Sequence, residues 1–420
     1  MAMPFFGIVG GFIPDYSTLL PVVASRRTDG NRHHYGNQNH SNGQLPSVGE
    51  APIDESDTTF PPFLAILNRL LQITANPRKR YEQSPETFIT NVRILHEVAF
   101  SPKCPILGTG YHFAVFASPF DPNYHSFIPV DGRTINSEIY CLKTPNFTST
   151  GATDSPLSKS AFRTEYYNTA LQEIRVLLHP RIRHCDSIIN LFGLDFQEDY
   201  DDYTTSWPVL IMEYAEYGTL ATLQEDITID SELARVLLLD VALGLKTLHE
   251  CNIIHGDVKS ENVLICRHAK RKYIAKVADF GLSVINPDTK RKGHILLGGT
   301  IPWNAPECGN SLSVEGLKQT DVYSFGLMSW RVLVNNPSPF QLIPPAALDL
   351  TTIGKVNEFA TLAKSYHGFQ ELVLQTMNPS GRDGYSRQVI GATLNEDPKN
   401  RNLSMAIAAL SRCQGTPLDR

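Results

Sequence analysis

The chain has no CxxC pair. Its seven cysteines (Cys104, Cys141, Cys185, Cys251, Cys266, Cys308 and Cys413) are odd in number and widely scattered. That excludes a disulfide framework or a zinc-ribbon site, and it predicts a reducing compartment, so an intracellular, cytoplasmic protein is expected. The sequons at Asn146 and Asn402 are then expected to be chance matches. Basic residues are not in excess. With 37 Lys and Arg against 43 Asp and Glu, the net charge is -6, which disfavours nucleic acid as a main partner. The stretches PRKR (77–80) and KRK (290–292) are too short to change that and read as solvated surface. Long apolar runs are also lacking. The run from Pro4 to Ile13 has no basic stretch before it and cannot span a bilayer, so no transmembrane segment is expected there. Between about residues 24 and 60 large apolar side chains are scarce, as in RTDGNRHHYGNQNHSNG. Such a stretch cannot bury enough surface to offset its ordering entropy, so disorder is expected, and His33, His34 and His40 have nothing to preorganise them as metal ligands.

What the chain does have is 420 residues with 42% apolar content, enough for a sizeable core. PPFLAILNRLLQI (61–73) places apolar residues at helical spacing after a Pro-Pro start, which predicts an amphipathic helix docking on the main domain or on a partner. From about residue 99 the pattern becomes compact. YHFAVFAS (111–118), EIYCLK (138–143) and PVLIMEY (208–214) read as strands, whereas 161–179 and 231–250 carry helical periodicity. A strand-rich front and a helix-rich back predict α+β with two lobes rather than a doubly wound sheet.

The densest chemistry lies in HGDVKSENVLI (255–265) and KVADFG (276–281). An amide and a carboxylate, Asn262 and Asp279, stand at the ends of neighbouring short strands. Such a pair of oxygen ligands can share a divalent cation bound to phosphate oxygens. Around them, in chain order, come ILGTGYHFAVF (106–116), Lys143 in a strand, a helical glutamate, and GGTIPWNAPE (298–307). This order resembles the eukaryotic protein kinase signature set, of serine/threonine type with tyrosine-kinase-like features.

The resemblance covers roughly residues 99–412 and implies a bilobal protein-kinase fold, with a small β-rich N-lobe (99–212), a larger helical C-lobe (216–412) and an N-terminal extension (1–98). It implies that Gly108 and Gly110 let backbone approach the ATP phosphates, and that Val115, Cys141 and Leu264 enclose the adenine. Met212 would stand behind the base, with backbone groups of Glu213 and Ala215 hydrogen-bonding it. Lys143 would hold the α- and β-phosphates and pair with a helix glutamate. Glu173 is the candidate and Glu165 the rival. Asp257 would orient the acceptor hydroxyl and take its proton, Lys259 would face the γ-phosphate, and Asn262 and Asp279 would hold Mg²⁺ or Mn²⁺. His255 would pack beneath Phe280, Thr300 would contact Asp257 and Lys259, Asp321 would brace the catalytic loop, and Arg401 would pair with Glu307.

Four positions depart from the pattern, one of them Trp303 in place of tyrosine. Gly256 replaces an arginine, giving HGD, which implies loss of the charge pair that commonly reads a phosphorylated activation loop. Ser283 and Thr289 are left as candidate phosphorylation sites. Phe113 stands where a third glycine is usual, and Cys141 where alanine is usual. Segments 119–137 and 144–160 are expected to be loops projecting from the small lobe. The implied activity is ATP-dependent phosphorylation of Ser/Thr hydroxyls on protein substrates in signalling, with a regulatory partner reading residues 1–98 or the N-lobe insertions. The alternative is a pseudokinase scaffold that binds ATP and acts through protein contacts.

Overall fold

The computed structural model describes residues 106–119, 128–129, 139–146, 156–198, 206–287, 293–296, 299–348, 356–377 and 384–412. The extension 1–98 with its helix at 61–73, most of segments 119–137 and 144–160, and Cys104, Thr289 and Cys413 lie outside the described residues.

Six strands form one antiparallel sheet in the order β1-β2-β4-β6-β5-β3, comprising β1 (Ile106–Thr109), β2 (Phe113–Pro119), β3 (Ile128–Pro129), β4 (Ile139–Pro145), β5 (Leu191–Glu198) and β6 (Ser206–Glu213). Lys143 in β4 lies opposite Val115 in β2 and Leu210 in β6. Because side chains alternate along a strand, this register sorts them by face. Ala114, Phe116, Tyr140, Leu142, Val209 and Ile211 cluster on one face. Phe113, Cys141, Leu210 and Met212 join the main core on the other, together with Tyr166, Ala170 and Ile174 of helix α1 (Pro156–Leu177).

The second lobe is helical. After the short α2 (Leu220–Asp226), the buried helix α3 (Ser231–Glu250) starts where the Asp230 carboxylate accepts the Leu233 N–H at 2.8 Å. That cap satisfies one of the orphan donors of a helix start. The chain then runs through β7 (Ile253–Ile254) and the hairpin β8 (Val263–His268) and β9 (Lys272–Val277), with β10 (Val284–Ile285) returning to pair with β7. The catalytic-loop sequence thus lies between β7 and β8, with both of its ends tied to strands. Beyond the pair β11 (His294–Ile295) and β12 (Ser311–Leu312), α4 (Val314–Leu333) is buried over most of its length. Helices α5 (Val356–Ser365), α6 (Phe369–Thr376), α7 (Gly384–Thr393) and α8 (Leu403–Ser411) close the chain. A second core around Trp330, Phe340 and Phe369 packs α4 against α5 and α6. The architecture is the two-lobed α+β arrangement expected from the sequence. Among the described residues no helix is long and apolar enough to cross a membrane, and the five cysteines present are free thiols.

Candidate active site

Lys143 is buried on β4, with Nζ 2.6 Å from Glu173 Oε2 and 3.0 Å from Asp279 Oδ1. Burial would push this ammonium down, but the carboxylates of Asp279 and Glu173 outweigh it and hold its pKa above the ordinary lysine value. The Asp279 carboxyl is correspondingly held below the usual range by the Lys143 ammonium. Burial pushes the Glu173 carboxyl up, with Lys143 opposing. Glu165, eight residues earlier and about 12 Å back along α1 at the ordinary helical rise, pairs with His112 at 3.2 Å. The two helix glutamates therefore have different partners, and it is Glu173 that meets the lysine.

The glycine-rich turn is held by hydrogen bonds. Asn146 donates its side-chain amide to Gly110 O (2.6 Å) and its backbone N–H to His112 O (2.8 Å), while the Gly110 N–H meets Phe113 O (2.7 Å). Asn146 is thereby occupied as a loop brace, as Asn402 is occupied capping α8. Phe113 lies with its ring centroid 4.4 Å from Lys143 Nζ and 4.8 Å from the Tyr166 ring. An ammonium so close to an aromatic face gains cation–π attraction.

Farther along the sheet face, Val115, Cys141, Met212 and Leu264 belong to one apolar cluster. Burial pushes the Cys141 thiol up to about 12, with a hydrogen bond from the Ala215 backbone opposing, so it stays a neutral apolar wall. Glu213 spends its N–H on Asn190 O (3.0 Å) and its carboxylate on Lys276 (2.8 Å) and the Asn190 amide (2.7 Å). Only its carbonyl is then available to a purine.

In the catalytic-loop sequence, the Asp257 carboxylate accepts four hydrogen bonds. Oδ1 takes the Thr300 N–H (2.9 Å) and hydroxyl (2.8 Å), and Oδ2 takes Lys259 Nζ (2.7 Å) and Asn262 Nδ2 (2.9 Å). Lys259 Nζ also meets Thr300 Oγ1 at 2.6 Å. Because the Asn262 amide nitrogen is turned to Asp257, its Oδ1 faces the other way. His255 packs its ring 5.3 Å from that of Phe280, donates Nε2–H to Ala278 O (3.0 Å) and accepts the Asp257 N–H at Nδ1 (3.2 Å). That assigns the neutral tautomer protonated at Nε2. Asp321, buried in α4, accepts the N–H groups of His255 (2.8 Å) and Gly256 (2.9 Å) and also meets His249 Nε2 (2.8 Å).

Gly256 has φ +80°, and a Cβ there would lie 2.9 Å from Leu282 O. The position that departs from the family pattern is thus one where any side chain meets both backbone strain and a carbonyl. Gly256→Ala is expected to destabilise the fold by about 1–3 kcal/mol, read by urea unfolding. An unchanged midpoint would mean that the backbone relaxes freely there. Ser283 is a correction: it is buried, and its hydroxyl donates to His255 O at 3.1 Å, so it does not present itself for phosphorylation. Glu307 and Arg401 meet in a two-pronged ion pair, with Nη2 to Oε2 at 3.1 Å.

Sequence reasoning missed two contributors. The approach of the Phe113 ring to Lys143 has no sequence signal, and neither does Lys364 of α5, whose Nζ is bound to Pro302 O, Asn304 O and Asn304 Oδ1 at 2.7–2.9 Å. No spacing pattern marks a lysine sixty residues from its acceptor.

The chain shares 31% identity over 172 residues with the serine/threonine-protein kinase SBK1 of Danio rerio, which is 40% of each chain. A probable serine/threonine-protein kinase of Dictyostelium discoideum, drkD, is 38% identical over 133 residues, 30% of this chain and 10% of that protein. A putative receptor-like protein kinase of Arabidopsis thaliana is 32% identical over 160 residues, 36% and 18% of the two chains. The chain thus spans less than half the length of each of these relatives. The family model for the protein kinase domain matches residues 153–409, beginning after Lys143, yet the fold carries that lysine to Asp279 inside the matched region. With well over half of its length in that match and these side chains gathered between its two lobes, the chain belongs to the protein kinase family.

Proposed function

We propose that this chain transfers the γ-phosphoryl group of ATP to serine or threonine hydroxyls of protein substrates, through a kinase domain spanning residues 99–412. The observation that carries this reading is the Asp257 carboxylate held by Thr300, Lys259 and Asn262. Its lone pairs are all taken, and one of the donors, Thr300 Oγ1, is itself an aliphatic hydroxyl. An acceptor hydroxyl can exchange for it, leaving its proton to Asp257 while Lys259 stays beside the oxygen. The serine/threonine preference rests on this Lys259–Thr300 link and on the serine/threonine-protein kinases among the relatives.

The residues present fit ATP and a divalent cation. Asn262 Oδ1 and the Asp279 carboxylate, its side chain half exposed, are hard oxygen donors. No cluster of three or more His, Cys, Asp or Glu able to hold a metal occurs among the described residues, so phosphate oxygens would supply the remaining ligands. Mg²⁺ or Mn²⁺ bound there would spread the negative charge that develops on transfer. Lys143, kept cationic and aimed by Glu173, would meet the α- and β-phosphates. Val115, Cys141, Met212 and Leu264 would enclose the adenine, and the Glu213 carbonyl and Ala215 backbone would bond its edge.

One observation favours a second reading, a pseudokinase scaffold: the Phe113 ring, where a glycine is usual, lies 4.4 Å from Lys143 Nζ. Incubation with labelled ATP, Mg²⁺ and a mixed library of Ser, Thr and Tyr peptides separates the two. Label is expected on serine and threonine, and chelation of the metal is expected to abolish it. ATP binding without any transferred label would leave the scaffold reading standing, and label confined to tyrosine would overturn the specificity.

A further inference from the structure

Thr300 does not hold its place against Asp257 unaided. It opens a tight turn in which its carbonyl receives the N–H groups of Trp303 (2.7 Å) and Asn304 (3.2 Å). The far side of that turn turns its oxygens toward α5. There Lys364, buried, donates to Pro302 O (2.8 Å), Asn304 O (2.7 Å) and Asn304 Oδ1 (2.9 Å). Three donors meet three acceptors, all of them neutral, and Lys364 makes no ion pair among the described residues. A surface lysine would be solvated and free; one buried without an ion-pair partner and spending every N–H on one turn is a clamp.

We propose that Lys364 is a positioning residue for phosphoryl transfer, its ammonium fixing the turn 300–304 and through it the contact of Thr300 with Asp257 and Lys259. The proposal rests on the kinase reading above and extends it to a residue that touches neither nucleotide nor acceptor.

The chemistry of the clamp has a pH limit. Burial brings the Lys364 ammonium down to about 8, with Cys308 and Glu307 opposing. Of the other charged groups around the turn, Asp257 and Lys259 are engaged with Thr300, Glu307 is paired with Arg401, and Arg331 lies 5.5 Å over the Trp303 ring and is tied to Glu261 at 2.7 Å. The neutral amine has two donors for three acceptors and turns a lone pair on one of the oxygens. The grip therefore loosens as pH rises through about 8. The sign for global stability is the opposite one. With its folded pKa below the ordinary lysine value, the unfolded chain holds more protons between about pH 8 and 10.5, so this group's contribution to stability rises with pH across that window. Loss of turnover through Lys364 is thus not loss of fold.

The test measures kcat and KM for ATP and for a peptide substrate from pH 6.5 to 9.5 in the wild type, Lys364→Met and Lys364→Arg, with hydrogen exchange of residues 299–305 followed in parallel. The wild type is expected to lose kcat above about pH 8 while its thermal midpoint does not fall in step. Lys364→Met should lower kcat about tenfold at neutral pH, leave KM for ATP within about twofold and speed exchange in 299–305. Lys364→Arg, whose guanidinium stays charged, should recover much of the rate and shift the alkaline limb upward. A Lys364→Met protein with wild-type kcat, the same alkaline limb and unchanged exchange overturns the proposal. If the wild type itself transfers no phosphoryl group, the kinase reading fails, and the exchange of 299–305 alone decides the clamp.

Discussion

Asp257→Asn is expected to lower kcat by about 10²- to 10⁴-fold with little change in KM for ATP. The substitution keeps the shape and removes the carboxylate proposed to take the acceptor's proton. It also turns one carboxylate oxygen into an NH₂ group that faces donors on either side, since Oδ1 accepts from Thr300 and Oδ2 from Lys259 and Asn262. Whichever way the amide points, one donor meets another, and the turn at Thr300 or the Asn262 side chain must shift. The nucleotide contacts proposed for Lys143 and Asp279 depend on a different pair, so ATP affinity should survive. Steady-state kinetics on a peptide substrate, with the thermal midpoint as a control for folding, read the outcome. A fall of less than tenfold in a folded protein would remove Asp257 from the chemistry.

Arg401→Met is expected to destabilise the protein by about 3–5 kcal/mol, the cost of leaving a buried partner charge unpaired. The Arg401 side chain is 0% exposed and that of Glu307 13%. Beyond the ion pair, the guanidinium donates Nε–H to Asn395 O (2.8 Å) and Nη1–H to Gln319 O (3.1 Å) and lies 4.5 Å over the Tyr323 ring. Loss of all these at once strands the Glu307 carboxylate beneath the turn that carries Thr300. On a chain of this size the shift in Tm should be about 3–6 °C. Denaturant unfolding of Arg401→Met, Glu307→Gln and the double variant measures the coupling. The double variant should be less destabilised than the sum of the two singles, because the second change removes the charge that the first left unpaired. Strict additivity would show that the pair acts as two independent side chains.

How much of this was legible differs from residue to residue. The strand, helix and loop assignments around Lys143, Ser231–Glu250 and 255–265 follow from periodicity and agree with the elements observed. The sequence named Glu173 as the lysine's partner and Glu165 as the rival; Glu173 lies 2.6 Å from Lys143, whereas Glu165, about 12 Å back along the same helix at the ordinary rise, pairs with His112. Ser283 looked like a loop hydroxyl, and its burial against His255 depends on where the activation segment lies. Gly256 read as a lost regulatory contact. Its φ and the nearby Leu282 carbonyl add a backbone reason for glycine that the sequence does not carry.

The sequence by itself determined the family, the two-lobed α+β plan and the identity of residues lying within one loop or one turn of each other, since Asp257, Lys259 and Asn262 are separated by so few bonds that local geometry brings them together. Only the tertiary structure decided how closely Glu173 and Asp279 both meet Lys143, that Phe113 lies on the same ammonium, and that Lys364 reaches across sixty residues to the turn of Thr300. The physical reason is the range of the constraint. Spacing encodes contacts a few residues apart, whereas these depend on how packed helices and sheet rotate against each other, and that is set by the whole core at once.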